Sequence, residues 1–151
     1  MKSRIIGTQP NTYAVIFESG DEVASGLASF AEGRQLSASH FTAIGGFQDV
    51  TLGYFDWNAK DYRRIPIHEQ VEVLSMIGDV ALDRGKPKVH AHVIIGKSDG
   101  TAHGGHLLEA HVRPTLEVII VESSGKLRKS YDPLSKLDLI DVDFQDEDAH
   151  A

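Results

Sequence analysis

Residues 89–108, Val-His-Ala-His-Val-Ile-Ile-Gly-Lys-Ser-Asp-Gly-Thr-Ala-His-Gly-Gly-His-Leu-Leu, predict the hairpin around which the rest of the fold can be arranged. In the first half, apolar positions alternate with histidines, which is typical of a strand with one buried face. Ser98-Asp99-Gly100 supplies a turn, and glycine readily adopts the left-handed conformation that a tight loop needs. The stretch therefore predicts two antiparallel strands joined by a three-residue loop.

Strand signals of the same kind recur at short intervals on both sides of this hairpin. Apolar and β-branched runs, separated by turn residues, occupy residues 13–17, 40–44, 49–55, 62–65, 70–76, 80–82, 116–121 and 137–144. Many short strands with hairpin-length connections indicate an antiparallel sheet rather than alternating βαβ units.

Only residues 22–32 have a convincing helical period. The apolar residues of one helix face are Val23, Leu27, Phe30 and Ala31. Asp21 is the expected N-terminal cap, and Gly33 is the expected end. We therefore expect an α+β fold, a mostly antiparallel β-sheet of about seven or more strands with one main α-helix near the N-terminus.

The length of 151 residues is that of one domain, since domains usually have roughly 100–200 residues. Neither an internal repeat nor a linker interrupts the chain. We expect residues 1–144 to form a single domain and residues 145–151 to form an acidic polar tail.

Composition excludes several functional classes. The chain has no cysteine, so disulfides, thiolate catalysis and cysteine zinc sites are excluded. It has neither the apolar stretch of a signal peptide nor a run long enough to span a bilayer, which predicts a cytoplasmic protein without a membrane partner. The motifs of serine hydrolases and of nucleotide-binding loops are absent as well.

The charge balance makes DNA binding doubtful. With 22 acidic and 15 basic residues, the net charge is −7, and such a chain repels the phosphates that dominate affinity for nucleic acids. The basic clusters Arg63-Arg64 and Lys126-Leu127-Arg128-Lys129 are short, and we interpret them as solvated surface.

Three histidines of the hairpin are expected to converge. His90 and His92 are two residues apart and share one face of their strand, while Val89, Ala91, Val93 and Ile95 take the other. With a three-residue loop, the numbers of paired residues sum to 198, which places His106 opposite His92. A two-residue loop at Asp99-Gly100 would instead place Leu107 opposite His92 and turn His106 away.

Three imidazoles with an open coordination position are typical of a catalytic zinc site. The cofactor expected at His90, His92 and His106 is therefore a divalent metal, with zinc as the first choice, although imidazole also suits copper, iron and nickel. The alternative is that these are separate, hydrogen-bonded histidines at the rim of the sheet. His103 is expected in a loop, and strand parity places His111 on the face opposite to His106.

Two carboxylates interrupt apolar strands and are candidate catalytic residues. Glu72 and Glu117 must face solvent, a partner chain or a cation, because an unpaired buried carboxylate is too costly. An outward position on a half-solvated sheet explains both. The functional alternatives are a fourth metal ligand, a residue supporting a ligand, or a general base beside the metal. Arg113 is a candidate for binding an anionic substrate, with a surface salt bridge as the alternative.

Several motifs resemble the PPC ("plants and prokaryotes conserved") domain over residues 10–143. They are Ala43-Ile-Gly-Gly-Phe-Gln-Asp-Val-Thr-Leu52, Glu72-Val-Leu-Ser-Met-Ile-Gly78, His90-Ala-His92, Gly104-Gly-His106-Leu and Thr115-Leu-Glu-Val-Ile119. The resemblance implies a mostly antiparallel sheet flanked by helix, assembly as a homotrimer, and the matching histidines as metal ligands. In plants the domain is joined to AT-hooks, short segments that bind the DNA minor groove.

The chain has no AT-hook, and it has His68-Glu69-Gln70-Val71 where the plant form has a Gly-Arg-Phe lead-in. The first hypothesis is a homotrimeric metal-binding protein that acts on a small molecule through the three-histidine centre. The second is a DNA-binding or transcription-associated regulatory module, as members of the family are often described. The third is an interaction protein without a metal. The converging histidines favour the first over the third, and the net charge counts against the second.

Overall fold

The computed structural model describes residues 1–8 and 10–143. For residues 3–8 it describes the backbone only. The strands and the helix, in chain order, are β1 (Lys2–Thr8), β2 (Asn11–Glu18), α1 (Val23–Arg34), β3 (Ala38–Asp56), β4 (Asp61–Ile67), β5 (Val71–Asp83), β6 (Lys86–Gly96), β7 (Ala102–Glu122), β8 (Arg128–Asp132) and β9 (Leu137–Asp141). The predicted acidic tail and the end of the strand predicted at 137–144 lie outside the described residues.

The nine strands described belong to one sheet, in which all pairs of strands but one are antiparallel. The exception is the pairing of Leu82 with Arg128 between β5 and β8. β3 pairs with both β5 and β7, and β6 pairs with both β5 and β7 as well. These four strands therefore form a closed circuit of pairings. The predicted α+β class, with a mostly antiparallel sheet and one helix near the N-terminus, is confirmed.

The core lies between the inward faces of the sheet and helix α1. Its largest fully buried side chains include Phe17, Phe41 and Phe47 from the sheet and Leu27 from the helix. Burial of this apolar surface stabilises the fold, at about 25 cal/mol for each Å² removed from water. Among the described residues there is no helix with the length and apolarity of a membrane span.

The helix differs from its prediction at both ends. Glu22, not Asp21, is the N-cap, because its carboxylate accepts hydrogen bonds from the backbone N–H groups of Ala24 and Ser25 at 3.0 and 2.7 Å. The helix passes Gly33 and ends at Arg34, where Gln35 takes the left-handed conformation at φ 54°.

Three strands are much longer than the short runs predicted. β3, β5 and β7 each join two of the predicted strands, and they continue through Gly45-Gly46, Gly78 and Pro114. Bulges explain the continuity in β3, since the register with β5 shifts between Ala43 and Gly45 without ending the strand. Strands β1 and β8 were not predicted.

Candidate metal centre

The hairpin of β6 and β7 has the predicted loop. The N–H of Lys97 donates to the carbonyl of Thr101 at 2.9 Å, and Gly100 is left-handed at φ 83°. His92 pairs with His106, as the sum of 198 requires, so the alternative two-residue loop is wrong. His106 thereby faces the same way as His92.

The structure brings the imidazoles of His90, His92 and His106 together. One ring nitrogen of each residue lies within 4.8 Å of those of the other two. The ring centroids are 5.1 Å apart for His90 and His92, 5.1 Å for His90 and His106, and 5.3 Å for His92 and His106. The intervening residues Ala91 and Val93 are buried in the core, as strand parity predicted.

Glycines allow the strands beneath the cluster to approach closely. A Cβ added to Gly105 would lie 2.8 Å from the backbone oxygen of Gly53, and one added to Gly78 would collide with Phe41 and with the carbonyl of His90. Any larger residue at these two positions would push apart the strands that carry the histidines.

The electrostatics of the cluster keep two of its rings neutral at neutral pH. The pKa of His106 is lowered to about 4, mainly by burial and then by the positive charges of His90, His92 and Lys129. The pKa of His92 is lowered as well, by burial first and then by His90. A neutral imidazole has the free lone pair that a metal ligand requires.

Asp79 supports the cluster and was not predicted. It pairs with His90 across β5 and β6, and its Oδ2 lies 3.3 Å from Nδ1 of His90. A carboxylate beside one ring nitrogen of a ligating histidine orients the ring and directs the other nitrogen to the metal. The sequence contains a signal for this residue, because a strand that continues through Gly78 places Asp79 opposite the HxH motif.

The cluster fits a divalent metal in a further respect. Nδ1 of His106 is buried and has no hydrogen-bond partner among the described residues. The same is true of Oδ1 of Asp79. Unsatisfied buried polar atoms are costly and commonly mark an absent ion or water. The ring of His106 also stacks on Tyr62, with centroids 4.6 Å apart, which holds it in place. Three imidazole nitrogens with one open side suit zinc.

A cavity of about 660 Å³ opens on the imidazoles. Phe55 and Tyr62 belong to its lining, and so do residues 136–140 of the hairpin of β8 and β9. The cluster therefore lies at the floor of an open cleft into which a small molecule fits.

The two candidate carboxylates lie away from the cluster in the single chain. Glu72 is exposed and pairs with Gly46 and Gly96, and Glu117 is exposed and pairs with Ile16 and Ile44. Glu72 is five residues along β5 from Ile77, the partner of His92, which corresponds to about 15 Å. Both carboxylates thus face outwards, as expected for a sheet with one face in solvent.

The remaining predictions require two corrections. His103 is exposed in strand β7 opposite Ile95, not in a loop, because the strand begins directly after the turn. His111 is not on the face opposite to His106. A register shift leaves Leu108 without a partner in β3, so the buried positions of β7 step from Leu107 to Ala110.

Arg113 and His111 lie farther along β7 than the cluster. Arg113 is exposed and forms no ion pair with any of the residues described. Nδ1 of His111 lies 2.8 Å from Oδ1 of Asp49, so that histidine has its own partner. Neither residue contributes to the three-histidine cluster.

The sequence profile of the Plants and Prokaryotes Conserved (PCC) domain matches residues 4–124. The chain belongs to this family. The match confirms the resemblance that the histidine and glycine motifs indicated. No protein of curated function matches the chain significantly.

Solved structures of other proteins have the same fold as this PCC domain. A candidate DNA-binding protein from Bacteroides thetaiotaomicron is 26% identical with a TM-score of 0.87, over 93% of this chain and 96% of that one. A metal-containing protein from Archaeoglobus fulgidus is 29% identical with a TM-score of 0.80, over 92% and 96%. A plant- and prokaryote-conserved protein from Pyrococcus horikoshii is 30% identical with a TM-score of 0.80, over 86% and 90%.

Proposed function

We propose that this PCC domain is a homotrimeric metal-binding protein that acts on a small molecule at His90, His92 and His106, with zinc as the metal. The observation that carries the proposal is the convergence of three ring nitrogens within 4.8 Å at the floor of a cavity. The similarity to a metal-containing protein from Archaeoglobus fulgidus supports it.

The residues of the chain have distinct tasks in this proposal. A divalent ion with three imidazole ligands and an open position supplies Lewis acidity to a bound molecule. His92 and His106 provide neutral nitrogen donors, because burial lowers the pKa of both. Asp79 holds the ring of His90, and Tyr62 holds that of His106.

Elemental analysis of protein purified without a nickel column tests the metal directly. We expect about one divalent ion for each chain, with zinc as the most abundant element. Protein that contains no metal, and that takes up none when zinc is added in excess, would contradict the proposal.

An exposed apolar surface supports the homotrimer. Ile44, Leu74, Ile77, Ile94 and Ile119 face outwards with 39–60% of their surface exposed. The pairings Ile77 with Thr42, and Thr42 with Ile119, place two of them in one row across β5, β3 and β7. Exposed clusters of large apolar side chains are typical of surfaces that a partner covers. Closed symmetric assembly is the usual way in which soluble chains cover them.

Glu72 and Glu117 interrupt this apolar surface, from β5 and β7. We propose that a neighbouring subunit covers both carboxylates. A catalytic role for either of them would then require that the assembly bring it to the cavity of another chain.

Light scattering tests the assembly. Wild-type protein is expected at about three times the chain mass of 16.5 kDa. Ile77→Glu should lower the measured mass, because a charge in the buried centre of an interface is costly. Leu134→Glu is the control, since Leu134 is 72% exposed in the turn between β8 and β9 and lies outside the apolar surface. A wild-type mass near 16.5 kDa at micromolar concentration would contradict the trimer.

The second candidate is a DNA-binding module, which is favoured by the description of the similar protein from Bacteroides thetaiotaomicron. The net charge of −7 argues against it, because affinity for DNA comes largely from lysine and arginine contacts with phosphates. We expect no gel shift of an AT-rich duplex near physiological salt. Sub-micromolar binding with a steep salt dependence would instead identify this protein as a DNA-binding module.

A further inference from the structure

The wall of the cavity above the imidazoles differs in charge from the rest of the molecule. Three lysines line the cavity, namely Lys88 from β6, Lys129 from β8 and Lys136 from the turn between β8 and β9. None of them forms an ion pair with another of the described residues. A protein with a net charge of −7 therefore concentrates, at one site, three cations that are unpaired within the part of the chain that the structure describes.

The negative charge at the cavity is already engaged. Asp138 is the acidic residue in the lining, and its carboxylate lies 3.9 Å from the guanidinium of Arg84. Asp79, beneath the cluster, is engaged with His90 at 3.3 Å. No carboxylate of residues 1–8 and 10–143 forms an ion pair with any of the three lysines, and a bound anion would supply the missing negative charge.

Lys129 is the lysine best placed to bind a group near the imidazoles. It is partly buried in β8, where it pairs with Ile140, another residue of the lining. Its charge contributes to the lowered pKa of His106, which indicates that the two side chains are near each other. Lys136 approaches from the turn, in the left-handed conformation at φ 62°.

The remainder of the lining is largely apolar. It comprises the aromatic rings of Phe55 and Tyr62 and the aliphatic side chains of Val89, Leu137, Leu139 and Ile140. A ligand with an apolar or flat body gains from contact with these side chains, whereas a fully polar one does not.

We propose that the cavity binds a small organic anion, whose carboxylate or phosphate group lies among Lys88, Lys129 and Lys136 and whose apolar body lies against the ring of Phe55. This inference rests on the proposed function, because it names the class of small molecule on which the centre acts. The volume of about 660 Å³ is that of a site for a single metabolite-sized ligand. Lysine binds either kind of anionic group as a compact point charge.

The affinities of three probes for zinc-loaded full-length protein test the charge selection. Benzoate and phenyl phosphate present a carboxylate and a phosphate on the same ring, and benzamide is their neutral counterpart. We expect at least one anion to bind about tenfold or more tightly than benzamide, as measured by calorimetry or ligand-observed NMR. The stronger of the two anions then distinguishes a carboxylate ligand from a phosphate ligand. Equal binding of all three probes, or binding of none, would overturn the inference.

Variants of Lys129 test the assignment to this wall. Lys129→Gln should weaken binding of the preferred anion about tenfold, and Lys129→Arg should retain most of it, because the positive charge is preserved. Lys126→Gln is the matched control, since Lys126 is exposed in the same segment and is not part of the lining. Unchanged affinity in Lys129→Gln, or equal losses in Lys126→Gln, would contradict the proposed site.

The metal content of every sample separates this inference from the proposed function. Lys129→Gln is expected to keep its zinc while losing the anion. In protein stripped of metal by a chelator, the preference for the anion over benzamide should persist, because the lysines remain. If the preference disappears with the metal, the ion and not the lysine wall selects the anion, and the inference is wrong. If wild-type protein holds no zinc, the proposed function fails whatever the probes show.

Discussion

His106 and His111 lie five residues apart in β7, yet their surroundings shift their pKa values in opposite directions. Burial and neighbouring imidazoles lower the pKa of His106 to about 4. The hydrogen bond with Asp49 raises that of His111. One histidine is therefore a neutral donor of the kind a metal selects, and the other is a ring whose protonated form is favoured by a carboxylate of the neighbouring strand.

Each of the two histidine environments also has a carboxylate, and the two carboxylates differ in the number of imidazoles around them. Asp49 faces a single ring at 2.8 Å and forms a strand-to-strand hydrogen bond with it. Asp79 faces His90 at 3.3 Å, beside two further imidazoles that must remain neutral. A histidine with a carboxylate is thus not by itself a functional signal, and the convergence of several rings is what distinguishes the candidate metal centre.

The largest effect is expected from removing a ligand. His92→Ala should reduce bound metal from about one ion for each chain to nearly none, and the sheet should remain folded. The reason is that Ala91 and Val93 carry the core contacts of β6 on the opposite face. Elemental analysis and circular dichroism measure both outcomes. His111→Ala is the matched control from the second environment and should keep its metal. Equal metal content in the two variants would show that the cluster is not the site.

A tenfold to hundredfold effect is expected from the carboxylate that supports the cluster. Asp79→Asn should weaken metal binding by this factor, because a carboxylate that contacts a ligating histidine orients its ring and increases its basicity. Competition with a chelator of known affinity measures the change. Asp49→Asn should leave metal affinity unaltered, since Asp49 contacts only His111 among the histidines. A larger loss in Asp49→Asn than in Asp79→Asn would reverse the assignment of the two environments.

The smallest effect is on stability and depends on pH. Because the pKa of His111 is raised in the folded protein, the pair with Asp49 stabilises the fold fully below the unfolded pKa of about 6.5. That contribution is lost as the pH rises through the higher folded pKa. The pair is partly exposed, so the contribution is below about 1 kcal/mol. Urea denaturation between pH 5.5 and about 8.5 measures it. Asp49→Asn should remove the pH-dependent part, and an unchanged NMR titration of His111 in that variant would contradict the pairing.

The three-histidine cluster was the most predictable part of the molecule, because two local rules determine it. Strand parity placed His90 and His92 on one face, and the loop at Ser98-Asp99-Gly100 placed His106 opposite His92. Both rules act within a few residues of the turn. The same parity rule was wrong for His111, because the register shift near Leu108 depends on packing against β3 and leaves no mark in the local sequence.

Long-range pairing explains what the sequence did not reveal. Gly78 looks like a strand end, but β5 continues through it because the pairings with β3 and β6 are unbroken there. Glycine is needed at this position since Phe41 and the carbonyl of His90 occupy the space of a side chain. A strand predicted to end at Gly78 does not place Asp79 opposite His90, so the sequence did not reveal this residue. Strand β8 has no apolar alternation in Arg-Lys-Ser-Tyr-Asp, and it forms through its pairing with β9 and one contact with Leu82.

The left-handed backbone of Lys136 implies a trade between stability and function. A non-glycine residue at φ 62° carries a conformational cost that asparagine or glycine would reduce. Asparagine or glycine at position 136 would therefore relieve this cost, but the change would also remove a cation from the lining of the cavity. Gln35, at φ 54° after the helix, has the same backbone strain without a place in the cavity. A stabilised version of this protein can accept asparagine at position 35 without loss, whereas the same change at position 136 exchanges ligand affinity for a more stable turn.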